Sequence, residues 1–183
     1  LALGITAKRS VYDMLVDRVP AAECVVSARP NLDCILADDT LLSAQPTIAQ
    51  RPDWSRMLEQ VLQPIKRRYD FIFIDAPGSL TPLSINAIMA ASDVLVPTTV
   101  EHLSIKGLEL LFKQLVRTRN SASSLQVIVP TMYDTRMRQS DTLLEQLRSN
   151  YGSLISPPIR VNVRLSEATA LGQTIYEYDR KSR

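Results

Sequence analysis

Three observations predict an α/β fold for this 183-residue chain, with a mostly parallel sheet flanked by helices. Short runs rich in β-branched and aromatic residues (71–74, 94–96, 125–129) stand apart from stretches whose apolar residues recur at helical spacing. The two kinds alternate, with helices of about 10–15 residues between strands, which is the sequence form of successive βαβ units. Within residues 71–74, Phe-Ile-Phe-Ile is apolar without interruption, as a strand covered on both faces must be. The run ends on Asp75 and a Pro77-Gly78 turn. That places Asp75 at the carboxyl end of a strand, where open α/β sheets bind ligands. An acid there orients a metal ion or its bound water, although the same pattern also serves as a simple turn starter.

The elements run in order along the chain. Residues 11–16 predict a short helix, and residues 23–27 and 32–36 predict two strands around the Arg29-Pro30-Asn31 turn. Asp39 or Thr40 caps a helix reaching about residue 50. Trp54, Met57, Leu58, Val61, Leu62 and Ile65 recur at i, i+3, i+4, i+7, i+8 and i+11, with Pro52 at the start. Lys66-Arg67-Arg68 closes this helix against the negative end of its dipole. After the central strand, Thr81 is the N-cap and Pro82 the first residue of a helix to about residue 92. Residues 94–96 form a strand stopped by Pro97. Ile105, Leu108, Leu111, Phe112, Leu115 and Val116 mark an amphipathic helix, and residues 125–129 a strand ending at Pro130-Thr131. Leu143, Leu144 and Leu147 line a helix that stops at Gly152, and residues 153–156 form a last strand before Pro157-Pro158. No repeat interrupts the series, so residues 1–183 read as a single domain long enough for a proper core.

Composition is that of an ordinary globular protein, 45% hydrophobic and 22% charged. No apolar stretch approaches the ~20 residues that span a bilayer, and the first residues do not resemble a signal peptide. Net charge is +2, with 13 basic and 13 acidic residues in 1–120 and 8 against 6 in 121–183. This excess is too small to indicate nucleic-acid binding by itself. Cys24 and Cys34 lack metal-ligand spacing and read as buried free thiols of a reducing compartment. His102 reads as a surface or capping residue at a helix start, Ser79 is not in a nucleophile elbow, and Asp38-Asp39 read as a turn and helix cap.

Five blocks carry a family resemblance. They are Asp75-Ala-Pro-Gly-Ser-Leu-Thr-Pro-Leu-Ser-Ile-Asn86; Val94-Leu-Val-Pro-Thr-Thr-Val-Glu101 with Lys106-Gly-Leu-Glu close behind; Thr131-Met-Tyr-Asp-Thr-Arg136; Asn162-Val-Arg-Leu-Ser-Glu167; and Tyr178-Asp-Arg-Lys-Ser182. In order and spacing they resemble ParA-type partition ATPases of the Soj and MinD kind, closely from residue 69 onward and more loosely before it. The resemblance implies a P-loop NTPase-like fold that binds ATP and Mg²⁺. It makes Asp75 the Walker B acid, hydrogen-bonded to Mg²⁺-bound water, and Pro77 part of the switch-like turn beyond it. Gly78 stands where relatives carry a second proline.

The resemblance also implies that the segment containing Met132 and the loop containing Asn162 flank the adenine base. An amide that both donates and accepts suits a purine edge. Here Arg160-Val161-Asn162 replaces the family's Pro-Arg-Asn. Arg136 and Arg164 match positions that contact DNA phosphates without sequence preference; Arg138, Arg160, Arg180 and Lys181 extend the patch, and the bland alternative is solvated arginines with no specific role. The family mechanism is ATP-dependent homodimerisation, non-specific DNA binding and hydrolysis stimulated by a ParB-like partner, in the cytoplasm on the nucleoid.

Two family motifs are absent from these residues: the Lys-Gly-Gly-x-Gly-Lys-Thr phosphate loop and Asp-Pro-Gln-Gly-Asn. The five glycines are scattered, and Leu1-Ala-Leu-Gly-Ile5 resembles the family's residues just beyond the second motif. The expectation is therefore a chain truncated at its N-terminus and before the family's last helix. Without the loop lysines that stabilise developing charge, it is expected not to hydrolyse ATP alone. Alternatives left open are a MinD-like membrane-cycling ATPase, a cobyrinic acid a,c-diamide synthase-like enzyme, or a non-enzymatic interaction module that has lost nucleotide binding.

Overall fold

The computed structural model describes residues 3–119 and 125–182; Leu1 and Ala2, which open the Leu1–Ile5 resemblance, and Arg183 lie outside them. The chain divides into two compact units, Leu1–Ala91 and Ser92–Arg183.

In the first unit, α1 (Val11–Leu15) begins with a reciprocal cap. Ser10 Oγ accepts from the Tyr12 N–H at 3.1 Å, and the Asp13 carboxylate accepts from the Ser10 N–H at 2.7 Å. At its other end the Arg51 guanidinium donates to the Leu15 and Val16 carbonyls, at 3.1 and 3.0 Å, placing a cation at the negative helix terminus. Helix α2 (Ala21–Cys24) occupies the start of the expected first strand. Pairing begins only at β1 (Val26–Arg29), antiparallel to β2 (Leu32–Cys34), with Asn31 at φ 60° in the turn.

The single helix expected up to residue 50 is split into α3 (Thr40–Ser43) and α4 (Gln45–Ala49), because Pro46 is accommodated only in a first turn. Asp39 holds the N-cap position, as expected, but without a side-chain bond; the preceding Asp38 accepts from the Thr40 N–H at 3.0 Å. A 3₁₀ turn precedes α5 (Met57–Leu62), which ends well short of Ile65. The apolar period runs on, but Pro64 has no N–H for the carbonyl four residues back, and its ring clashes there; residues 66–68 form a separate 3₁₀ turn. Helix α6 (Pro82–Ala90) starts as expected, Thr81 and Ser84 capping each other's N–H. Met14, Leu15, Cys24, Ile48, Met57 and Ile65 form the buried centre.

Residues 71–74 depart most from expectation. Phe71 and Phe73 are 79% and 82% exposed, and among the described residues no strand pairs with this run. The two rings stack on each other, their centres 6.3 Å apart. A strand buried on both faces needs ladder partners at its edges and cover above and below. The described residues supply neither, so Asp75 lies in an exposed segment without regular structure instead of at a sheet edge.

The second unit carries the parallel pair. β3 (Val94–Thr99) leads through α7 (His102–Arg119) to β4 (Leu125–Thr131); Val94 lies opposite Leu125, the register then shifts by one residue, and pairing continues evenly from Leu95 opposite Val127 to Thr99 opposite Thr131. Pro97 does not stop β3. It has no N–H to give, but among the described residues β3 is bonded on one edge only, where such a gap is tolerated. Ile105, Leu108 and Leu115 fix the buried side of α7. Helix α8 (Arg138–Tyr151) buries Leu143, Leu144 and Leu147 and closes at Gly152, whose φ of 55° favours a residue without Cβ. The strand expected at 153–156 is a 3₁₀ turn at Gly152–Leu154 and then single bridges, Ile128 to Ile155 and Tyr133 to Arg160. Pro157 and Pro158 remove the donors that a continuous ladder would need. Two helices finish the unit, α9 (Val163–Ala170) and α10 (Ile175–Tyr178).

Cys24 is buried and Cys34 half-buried, both as free thiols. No described helix is long and apolar enough to cross a membrane.

Candidate functional site

The second unit builds a cleft where β4 ends. Beyond Pro130 the chain turns through Met132, whose φ of 54° is unusual for a residue with a side chain. The backbone then meets the incoming 155–161 segment: Ile159 N–H donates to the Pro130 carbonyl at 2.8 Å, Tyr133 N–H to Ile159 at 3.1 Å, and Val161 N–H to Tyr133 at 3.1 Å. These bonds hold open a cleft of about 420 Å³. Its walls are mostly apolar, from Met132, Ile159, Val161 and Leu165, with Thr131, Arg160, Asn162 and Ser166 as the polar residues. Its size and apolar character suit a flat heterocycle, and its place beyond the carboxyl end of a parallel strand is where α/β folds take ligands.

Asn162 is fixed twice. As N-cap of α9 its Oδ1 accepts from the Arg164 N–H at 2.8 Å, and its Nδ2 donates to Ser182 Oγ at 2.7 Å. One side chain thus starts a helix and ties down the C-terminal segment, with its amide oriented by both bonds. Met132 and Asn162, paired by the sequence reading, line the same cleft.

The two arginines are each held by a local carboxylate. Arg136 is 85% exposed, and its guanidinium donates to both Asp134 oxygens, Nε–Oδ1 at 2.9 Å and Nη2–Oδ2 at 2.7 Å. Asp134 also accepts from the Arg136 N–H at 3.0 Å. The side-chain bonds first, and then the backbone bond, bring the Asp134 carboxyl down to about 2. Arg164 Nη1 lies 3.0 Å from Glu167 Oε2, and its guanidinium 6.0 Å from the Tyr178 ring centre. Tyr178 donates its hydroxyl to the same Glu167 oxygen at 2.9 Å, and this bond, with the one from Arg164, holds Glu167 below the usual carboxylate range. The sequence reading missed the Arg164–Glu167–Tyr178 cluster, although the three residues fall within the last two motif blocks. It also missed the pairing of Asp134 with Arg136, which their two-residue spacing allows.

Asp75 and Pro77 lie in the first unit, both exposed. Among the described residues Asp75 has no hydrogen bond or ion pair, which leaves its oxygens free for an outside donor. That fits a carboxylate accepting from a metal-bound water. Among the described residues no group of three His, Cys, Asp or Glu side chains is placed to cage a metal ion. Mg²⁺ usually keeps several waters and binds through one or two carboxylates plus substrate phosphates. His102 starts α7, as expected.

A family model described as an AAA domain matches residues 2–127. Among curated proteins, the chain is 33% identical to the chromosome partitioning protein ParA of Caulobacter vibrioides, over 99% of this chain and 71% of that one. It is 34% identical to the chromosome-partitioning ATPase Soj of Treponema pallidum, over 97% of this chain and 72% of that one. Among solved structures, apo McdA from Cyanthece superposes with a TM-score of 0.84 at 24% identity, over 96% of this chain and 75% of that one, a likeness of fold. A putative plasmid partition protein from Borrelia burgdorferi bound to AMPPNP superposes with a TM-score of 0.81 at 25% identity, over 97% of this chain and 74% of that one.

Proposed function

The chain belongs to the ParA/Soj family of partition ATPases, and from that premise we propose that it serves chromosome or plasmid partitioning, or cargo positioning, with the cleft between Met132 and Asn162 holding the adenine of ATP. One observation carries this reading: an apolar cleft with a fixed amide opens beyond the end of a parallel strand. Met132 and Ile159 offer apolar contact to a ring face, and Asn162 and Thr131 meet its polar edge. Asp75 would accept from a water on Mg²⁺ when the ion is bound, and Pro77 stiffens the turn beside it. The ion, when bound, neutralises phosphate charge. The AMPPNP bound by the Borrelia protein supports a nucleotide here.

The same proposal reads residues 1–183 as one nucleotide-binding domain. It includes ATP-dependent homodimerisation, contact of Arg136 and Arg164 with duplex phosphates, residence on the nucleoid, and a ParB-like partner that stimulates hydrolysis where the phosphate-loop lysines, absent from these residues, are supplied. Anisotropy of labelled duplex DNA over a salt series, with and without ATP, tests it. Binding should require ATP and fall linearly in log K against log salt, and Arg136→Ala or Arg164→Ala should each reduce the slope by about one. No binding with any nucleotide defeats the DNA reading. A fluorescent ATP analogue that binds Met132→Glu as tightly as the unaltered protein defeats the cleft.

A further inference from the structure

The outward face of α7 combines three features that no contact among the described residues accounts for. Leu103 and Leu110, one heptad apart, are 80% and 61% exposed. Gly107 lies between them, and a Cβ added to it would meet no atom within 4 Å. Lys106, Lys113 and Arg117 form the adjoining row, and among the described residues none of the three pairs with a carboxylate. On a helical wheel, Lys113, Lys106, Arg117, Leu110 and Leu103 fall within about 80° of one another. Ile105, Leu108 and Leu115 are buried on the opposite side, so this stripe is held outward.

A mid-helix glycine is less favourable than alanine, and its small size is normally justified by something packing close to it. Here no neighbour among the described residues does. The missing side chain leaves a notch between two leucines, the shape that accepts a knob from a second helix. The cations beside it are the complement of carboxylates. We propose that this face of α7 docks an amphipathic helix of a partner protein, one that sets aliphatic side chains into the Gly107 notch and places Glu or Asp over Lys106, Lys113 and Arg117. A lipid surface would call for a broad apolar face, and a nucleic acid would call for cations without the leucines. The proposal needs neither Asp75 nor the Met132 cleft, so it stands or falls apart from the nucleotide reading.

The test uses the full chain and a labelled synthetic peptide of about three heptads with Leu at a and d and Glu at e and g. Like charge on its flanks keeps the peptide from pairing with itself. Saturable binding is expected, at least about tenfold weaker for the peptide with Lys in place of Glu. Lys106→Glu/Lys113→Glu and Leu103→Ser/Leu110→Ser should each weaken it about tenfold. These side chains are exposed, so both variants should fold. Gly107→Ala gives the most discriminating result: the chain should melt at a higher temperature yet bind the peptide several-fold more weakly, opposite signs that a purely structural glycine cannot produce. Equal affinity for both peptides, unchanged binding by the leucine variant, or a lower melting temperature for Gly107→Ala each overturns the proposal. So does a Glu peptide that stays unbound while phosphatidylglycerol vesicles or duplex DNA bind through the same lysines.

Discussion

Residues 71–74 and 125–131 read alike in the sequence, and the structure treats them in opposite ways. Both are short apolar-rich runs, aromatic and β-branched in the first and aliphatic in the second, with a proline at or just beyond their ends and a candidate site beside them. The second becomes β4 because β3 lies alongside, joined through α7, and its Ile128 is fully buried. The first stays unpaired among the described residues and exposed, with Phe73 open to solvent. Strand propensity describes how well a residue fits a pleated, half-buried surface. It does not supply that surface. The difference extends to the chemistry. Beside β4, Asp134, Arg136, Asn162 and Arg164 are all engaged with neighbours, whereas Asp75 beside the unpaired run has no described partner.

The largest effect that separates the two runs is packing. Ile128→Ala removes a fully buried side chain and should cost about 2–5 kcal/mol, whereas Phe73→Ala at an exposed site should stay within about 0.5 kcal/mol. Urea unfolding monitored by the single Trp54 measures both. If Phe73→Ala is as damaging as Ile128→Ala, residues 71–74 are covered in solution and the comparison breaks.

The next test separates Asn162's structural work from its proposed role in binding. Asn162→Ala removes the α9 cap and the tie to Ser182, and should destabilise by about 0.5–2 kcal/mol. Asn162→Asp keeps an acceptor for the Arg164 N–H but loses the amide donor. Its stability should lie close to that of the unaltered chain while a fluorescent ATP analogue binds more weakly. If Asp at this position leaves analogue binding unchanged, Asn162 is a cap alone, and the cleft's polar edge must rest on Thr131, Arg160 or Ser166.

Legibility in the sequence divides along physical lines. Local signals with a single mechanism came through: the Thr81-Pro82 start, the Gly152 stop, and the one-sided period of α7. Proline was legible only with its context. Pro64 ended a helix that the apolar period carried past it, because a helix needs that N–H whatever surrounds it. Pro97 did not end β3, because a strand bonded on one edge can spare the donor. The least legible features were polar contacts set by tertiary structure. Asn86 is buried, accepts from the Leu58 N–H at 3.1 Å and donates to the Trp54 carbonyl at 2.6 Å, tying α6 to the start of α5. It stood in a motif block with no sign of that role. The Met132–Asn162 pairing was legible through family resemblance; nothing in spacing alone brings residues thirty apart to one cleft.

The smallest expected effect is a titration, and it sharpens the contrast between engaged and free carboxylates. Asp134 is drawn to about 2 from an ordinary value of 3.8, chiefly by the Arg136 side chain. A carboxyl whose pKa is lowered by folding adds stability above its unfolded value. That contribution is fully present above about pH 4 and fades as pH falls toward 2. Carbon-detected NMR of the Asp134 carboxyl should place its midpoint near 2. Arg136→Ala should move the midpoint upward but not the whole way, because the backbone N–H of residue 136 still donates to it. A midpoint that is already ordinary in the unaltered chain would mean that solvent separates the pair. Arg136 would then meet a phosphate without first giving up a carboxylate, and the contrast with Asp75 would narrow to Arg164 and Asn162.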